Sequence, residues 1–165
     1  IFNSDKFRAY SSNDIIGIEV GGILKNIFAI GAGIIQEYKL GTNSMAAYIT
    51  RSLNEMKNII TFFGGNEKTI FGNSGLGDLI TTCFNPNSRN NQLGSLLARG
   101  VDLETAKENI TGIIEGINST RIIKNILLEE KIKAPIINEI YKVLFNGKNP
   151  KVGINDLLSR DDSKE

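Results

Sequence analysis

The sequence predicts an all-α domain, and three observations carry that expectation. Apolar residues recur at helical spacing through most of the chain. Gly, Asn, Asp and Pro fall between the periodic segments, where helices stop and start. No regular alternation of apolar and polar residues, the mark of a half-buried strand, follows residue 13.

The elements follow in order. Residues 1–12, IFNSDKFRAYSS, contain a short alternating piece, FRAYS, which reads as an extended strand or a connector. Asn13 or Asp14 is placed to cap a long helix over 15–35, because a side-chain oxygen there accepts from the free N–H groups of the first turn. Apolar residues at 45, 46, 49, 53, 56, 59, 60 and 63 set a second helix over 42–63, stopped by Gly64-Gly65. The Gly-, Asn- and Ser-rich stretch EKTIFGNSGLGDLITTCFNPNSRNNQ holds a short apolar core, LITTCF, and reads as two short helices joined by loops. A helix over 89–99 closes at Gly100, Asp102 caps a short one in DLETAKENI, and 115–132 forms a longer one. Pro135 opens a helix that ends near Gly147, and Asn149-Pro150 has the cap-and-first-turn form of the last. Residues 13–165 are therefore expected to form one helical body.

Composition narrows the function classes. The chain has 165 residues, 41% of them apolar and 22% charged, with a net charge of +1. That composition builds a core, and the near-zero, scattered charge argues against nucleic-acid binding. Cys83, alone in its type, forms no internal disulfide; it fits a reducing compartment, and a cytoplasmic location is expected. Without histidine, acid–base work falls to other side chains, His-based metal sites are excluded, and no metal is expected. The chain begins at Ile1 with no signal-peptide pattern, so a segment upstream is expected.

The run from 15 to 35 tempts a transmembrane reading. Glu19, Lys25, Asn26 and five glycines stand against it, since charges near the middle of a lone span cost roughly 2.5–3.5 kcal/mol each. A buried helix without a membrane span is expected. At about 100° per residue, Gly22, Lys25, Asn26, Ala29 and Gly33 share one stripe, and Ile16, Ile23, Ile27, Ile30 and Ile34 occupy the other faces. The helix should be buried almost all round, with small residues beside the lysine. Lys25 either pairs with Glu19 or snorkels to water, or it reaches a ligand as acid, base or clamp. The Glu19 pairing is awkward, because residues six apart do not face each other on a helix.

A second cluster follows. Asp78 in GLGDLITTC either caps a short helix or holds a lysine or a substrate hydroxyl. Thr81 and Thr82 either bond their own helix carbonyls or offer hydroxyls to a ligand. Ser88-Arg89-Asn90 is either a surface loop or a phosphate site at a helix start, where free N–H groups and a guanidinium favour an anion.

Taken together, GIEVGGILKNIFAIGAGI at 17–34, GLGDLITTC at 75–83 and SRNNQLG at 88–94 resemble the C-terminal helical domain of bacterial-type NAD(P)-dependent glycerol-3-phosphate dehydrogenase. TNSMAAYITRSLNEM, IIEGINST and PIINEIYKVLFNGKNP fit the same pattern, and the usual G-L-A-G-L-G-D reads here Gly72-Asn73-Ser74-Gly75-Leu76-Gly77-Asp78. The resemblance implies a domain of the 6-phosphogluconate-dehydrogenase-like kind, with residues 1–12 a remnant of an N-terminal Rossmann domain absent here. It implies interconversion of dihydroxyacetone phosphate and sn-glycerol 3-phosphate with NAD or NADP, feeding glycerophospholipid synthesis. Lys25 would be the acid/base and Asp78 its partner. Asn26, Thr82, Ser88, Arg89 and Asn90 would bind substrate, and Arg89, Ile113 and Glu115 would approach the cofactor. No G-x-G-x-x-G is present in the chain, so most cofactor contacts are expected from the Rossmann domain, and the chain alone is expected to be inactive. Exposed apolar faces would permit a homodimer. The remaining readings are the substrate domain of a related hydroxy-acid dehydrogenase and a non-catalytic helical interaction domain.

Overall fold

The structure is a computed structural model and describes residues 4–5 and 8–159. Among them the regular elements are helical: α1 (Ile15–Glu37), α2 (Gly41–Phe62), a 3-10 turn (Glu67–Phe71), a π turn (Asn73–Gly77), α3 (Asp78–Phe84), α4 (Arg89–Ala98), α5 (Leu103–Asn109), α6 (Glu115–Glu129), α7 (Pro135–Phe145) and α8 (Pro150–Leu158). The expected all-α fold is therefore observed. Of the expected FRAYS strand, Phe7 lies outside the described residues, and residues 8–11 carry no regular secondary structure.

α1 is the axis of the fold, packed against α2, α3, α4, α6, α7 and α8. Its length and hydropathy suffice for a bilayer crossing, but 56% of its most apolar stretch is buried within the domain. From Asn26 to Ile35 every residue is buried, because IFAIGAGII has no charge to expose and several partners to bury against. The N-terminal turns differ from the expectation of burial all round. Ile15, Ile16 and Ile23 are 69%, 45% and 40% exposed, since the covering helices leave that end open.

Glycine sets how closely α4 approaches. A Cβ on Gly33 would stand 2.0 Å from the Asn91 carbonyl oxygen, and one on Gly94 would stand 1.9 Å from that of Ile30. The two backbones touch there, which any side chain would prevent. Gly31 similarly makes room for Tyr48, whose hydroxyl donates to the Phe28 carbonyl at 2.8 Å. Burial pushes the Tyr48 phenol well above its ordinary value.

Side chains tie the helix ends. Asp14 caps α1 by accepting from the Gly17 N–H at 2.9 Å, and the same carboxylate takes the Asn66 N–H and the Thr69 hydroxyl. Buried Glu55 of α2 accepts from the Ile136 and Ile137 N–H groups at 2.9 and 3.0 Å. It thereby satisfies donors at the start of α7, where Ala134 has no capping side chain.

Two expectations need correction. Within the stretch 67–92 a 3-10 turn leads to a π turn that runs directly into α3, so no loop separates the short helical pieces until the one after Phe84 that leads to α4. Gly75 explains this, because a Cβ there would meet the Ile70 carbonyl at 2.2 Å, so the chain doubles back on itself. The helix expected to reach residue 132 ends at Glu129, and Lys131 takes a left-handed φ of +57°.

Candidate active site

Lys25 leaves α1 at the last turn before the wholly buried stretch. Its Nζ donates to Asp78 Oδ2 at 2.5 Å, and the two side chains are 24% and 35% exposed. The partner is thus Asp78, and Glu19 stays exposed on the same helix. Asp78 is free for this because it does not cap α3: it is the first helical residue, and the position before it is Gly77. A close, partly exposed ion pair of this kind holds a lysine in place without sealing it from a ligand.

Space beside the lysine is supplied by Gly22, where a Cβ would meet nothing within 4 Å. The stripe of small residues narrows beyond Asn26, because Ala29 and Gly33 are buried and Gly33 serves the contact with α4. Thr82 donates to the Asp78 carbonyl at 2.7 Å and lies 3.4 Å from Asp78 Oδ1. Thr81 donates to the Gly77 carbonyl, the ordinary use of a helical threonine.

Asn26 starts a second set of contacts. Its Nδ2 donates to the Gly22 carbonyl at 3.1 Å and to Glu115 Oε2 at 2.8 Å, and its Oδ1 accepts from Asn90 Nδ2 at 3.0 Å. Asn90 Oδ1 accepts from the Gly116 N–H at 2.9 Å. Helices α1, α4 and α6 therefore meet through Asn26, Asn90 and Glu115. Ser88 caps α4, accepting from the Asn91 N–H at 3.5 Å. Arg89 opens α4 with its side chain exposed, and its Nη1 lies 2.8 Å from where a Cβ on Gly112 would be. Gly112 has a φ of +98° and no side chain, which gives the guanidinium its seat. Ile113 is 72% exposed next to it.

The arrangement gathers Lys25, Asp78, Thr82, Asn26, Asn90 and Glu115 around the middle of α1, with Arg89 and Ile113 on the flanking segments. Lys25 and Arg89 bring two positive charges to the site and Asp78 and Glu115 two negative ones, while the N-terminus of α4 adds a partial positive charge beside Arg89 that favours an anion there. Sequence reasoning missed Gly116, on which a Cβ would meet Asn90 Oδ1 at 2.7 Å and the Asn26 carbonyl at 2.8 Å. Its signal was a glycine inside the first turn of a helix, where glycine is otherwise disfavoured.

The described residues form an all-α domain with a lysine–aspartate pair at its central helix. A family model described as NAD-dependent glycerol-3-phosphate dehydrogenase C-terminus matches residues 14–155, and the chain belongs to that family. Glycerol-3-phosphate dehydrogenase [NAD(P)+] of Phytoplasma mali is 42% identical over 159 residues, covering 96% of this chain and 48% of the relative. That of Acaryochloris marina is 42% identical over 161 residues, covering 98% and 52%. The chain spans about half the length of the curated relatives it matches. The crystal structure of glycerol-3-phosphate dehydrogenase from Coxiella burnetii superposes with a TM-score of 0.92 at 38% identity, covering 96% of this chain and 49% of that one.

Proposed function

We propose that this chain is the substrate-binding half of an enzyme interconverting dihydroxyacetone phosphate and sn-glycerol 3-phosphate with NAD or NADP. The carrying observation is the 2.5 Å Lys25–Asp78 pair, beside Asn26 and partly exposed. In oxidation Lys25 takes the proton of the secondary alcohol, and in reduction it returns it. Asp78 holds the ammonium in place between turnovers, and Thr82 adds a hydroxyl beside it. Arg89, with Ser88, Asn90 and Asn26, receives the phosphate. The nicotinamide supplies or accepts the hydride when bound. Arg89, Ile113 and Glu115 are exposed, and their guanidinium, apolar and carboxylate groups would suit the phosphate, ring and ribose hydroxyl of a dinucleotide held mostly by a Rossmann domain. Residues 1–12 serve as the connector to that domain, and 13–165 are the catalytic body. The protein works in the cytoplasm, with α1 as a core helix, and its exposed apolar faces suit a homodimer. Its product feeds glycerophospholipid synthesis.

The test is turnover of the full-length protein on dihydroxyacetone phosphate against β-hydroxy acids. Preference for the hydroxy acids would transfer the site to the related dehydrogenases. Replacing Lys25 by Ala should lower the rate on the order of a hundredfold or more with the fold retained. An unchanged rate would favour a non-catalytic helical domain.

A further inference from the structure

The short helix that carries Asp78 is tied down at both ends. α3 is seven residues long, with the glycines of the π turn before it and a loop over 85–88 after it. Leu79 and Cys83, four apart and both fully buried, turn one face of it inward. Apolar burial decides which face points in, but it is non-directional and sets the position along the axis only loosely. Hydrogen bonds are directional, and α3 has them at each end.

At its start Asp78 meets Lys25 of α1. At its end lies the Cys83 carbonyl, one of the last four of the helix and so without an N–H from its own turns. Two side-chain amides meet it. Asn91 Nδ2 of α4 donates to it at 2.8 Å, and Gln36 Nε2 of α1 donates at 3.2 Å. Asn91 Nδ2 also donates to Gln36 Oε1 at 2.9 Å, so two amides and one carbonyl close a ring. Asn91 is 3% exposed and Cys83 is wholly buried, so water does not readily replace the amides. The ties run in the same order on both helices, 25 with 78 and 36 with 83. α4 is itself fixed on the α1 backbone through Gly33 and Gly94, so Asn91 is held from behind.

We infer that the Gln36–Asn91 amide pair is a positioning device for the ion pair. By fixing the far end of α3 along α1, it sets where Asp78 meets Lys25. The inference rests on the proposed acid–base role of Lys25 with Asp78 as its holder.

The experiment uses the full-length protein with Gln36→Met, Asn91→Leu and the two together, each in the parent and in Asp78→Asn. It reads kcat and KM for dihydroxyacetone phosphate, and the rate at which a thiol reagent labels Cys83, followed by mass spectrometry of its peptide. The double variant should lower kcat about three- to tenfold, the scale of one hydrogen bond, and change KM by less than about twofold. In Asp78→Asn the same change should lower kcat by less than about twofold, because the route through Asp78 is already cut. Labelling of Cys83 should quicken about three- to tenfold in both backgrounds, as the end of α3 opens more often. An unchanged kcat in the folded double variant would mean that the apolar face alone places α3. An equal fall in both backgrounds, or a rise confined to KM, would mean that the amides act on another part of the site. Each of these overturns the inference. If Asp78→Asn itself leaves kcat unchanged, the catalytic reading of the ion pair fails and the positioning role falls with it, while the labelling still reports whether the amides hold α3. If Asn91→Leu does not fold, Asn91→Ser, which leaves room for a water, carries the same comparison.

Discussion

Two glycine-to-alanine substitutions in neighbouring helices should shift stability in opposite directions. In Gly94→Ala the new Cβ would stand 1.9 Å from the Ile30 carbonyl oxygen, whereas real Cβ contacts stay beyond about 3 Å, so α4 must retreat by about 1 Å. Overpacking of that size costs ~1–3 kcal/mol. The retreat also stretches the Asn90–Asn26 bond and those from Asn91 Nδ2 to Gln36 and Cys83, each worth ~1 kcal/mol. The helix-propensity gain of alanine returns only ~1 kcal/mol. The expected net loss is about 3–5 kcal/mol. Gly22→Ala meets nothing within 4 Å and keeps only the propensity gain, so it should stabilise by about 0.5–1 kcal/mol. Urea unfolding followed by circular dichroism reads both. A Gly94→Ala protein that unfolds at the same or higher urea than its parent would refute the close-contact reasoning.

The Asp14 carboxyl is held below its ordinary 3.8, first by the Thr69 hydroxyl and then by the Gly17 N–H. Its contribution is present above the unfolded value and is lost as pH falls through the lower folded one. The stability gap between the parent and Asp14→Asn, taken from urea midpoints, should therefore shrink in acid and be constant near neutrality. Cys83 is fully buried and its thiol is pushed up to about 12 by that burial, so a thiol-specific reagent should label it only as fast as the domain opens. Labelling in buffer at the rate seen in denaturant would contradict this. The 165-residue chain on its own should show no turnover with NADH or NADPH in a coupled absorbance assay; robust activity would remove the need for a partner domain.

Helix starts were the most legible feature, because Asp14, Asp102 and Asn149 each act through their own oxygen on an N–H two or three residues ahead. Such signals are local, and residue type alone reveals them. The π turn was not legible, since the contact that needs Gly75 comes from Ile70, through a fold-back that helical periodicity does not encode. Within the site, helical phase placed Lys25 and Asn26 on one stripe, but it could not say what faced them. Asp78 lies 53 residues away and Glu115 lies 89 away from their respective partners. Phase also overextended the cleft toward Ala29 and Gly33, because only the position of α4 shows that the stripe is covered there. The resemblance joined segments that periodicity left separate.

The seat of Lys25 on α1 has one more consequence. The residues that follow it belong to the part of the chain that opens last, since releasing them means dismantling every layer around the central helix. Its backbone thus stands on the least deformable element available, and small fluctuations of the surface turns do not displace it. Arg89 opens the helix that sits directly on this axis through Gly33 and Gly94, so the lysine and the arginine are carried by two elements whose backbones touch, and their separation is set by that contact.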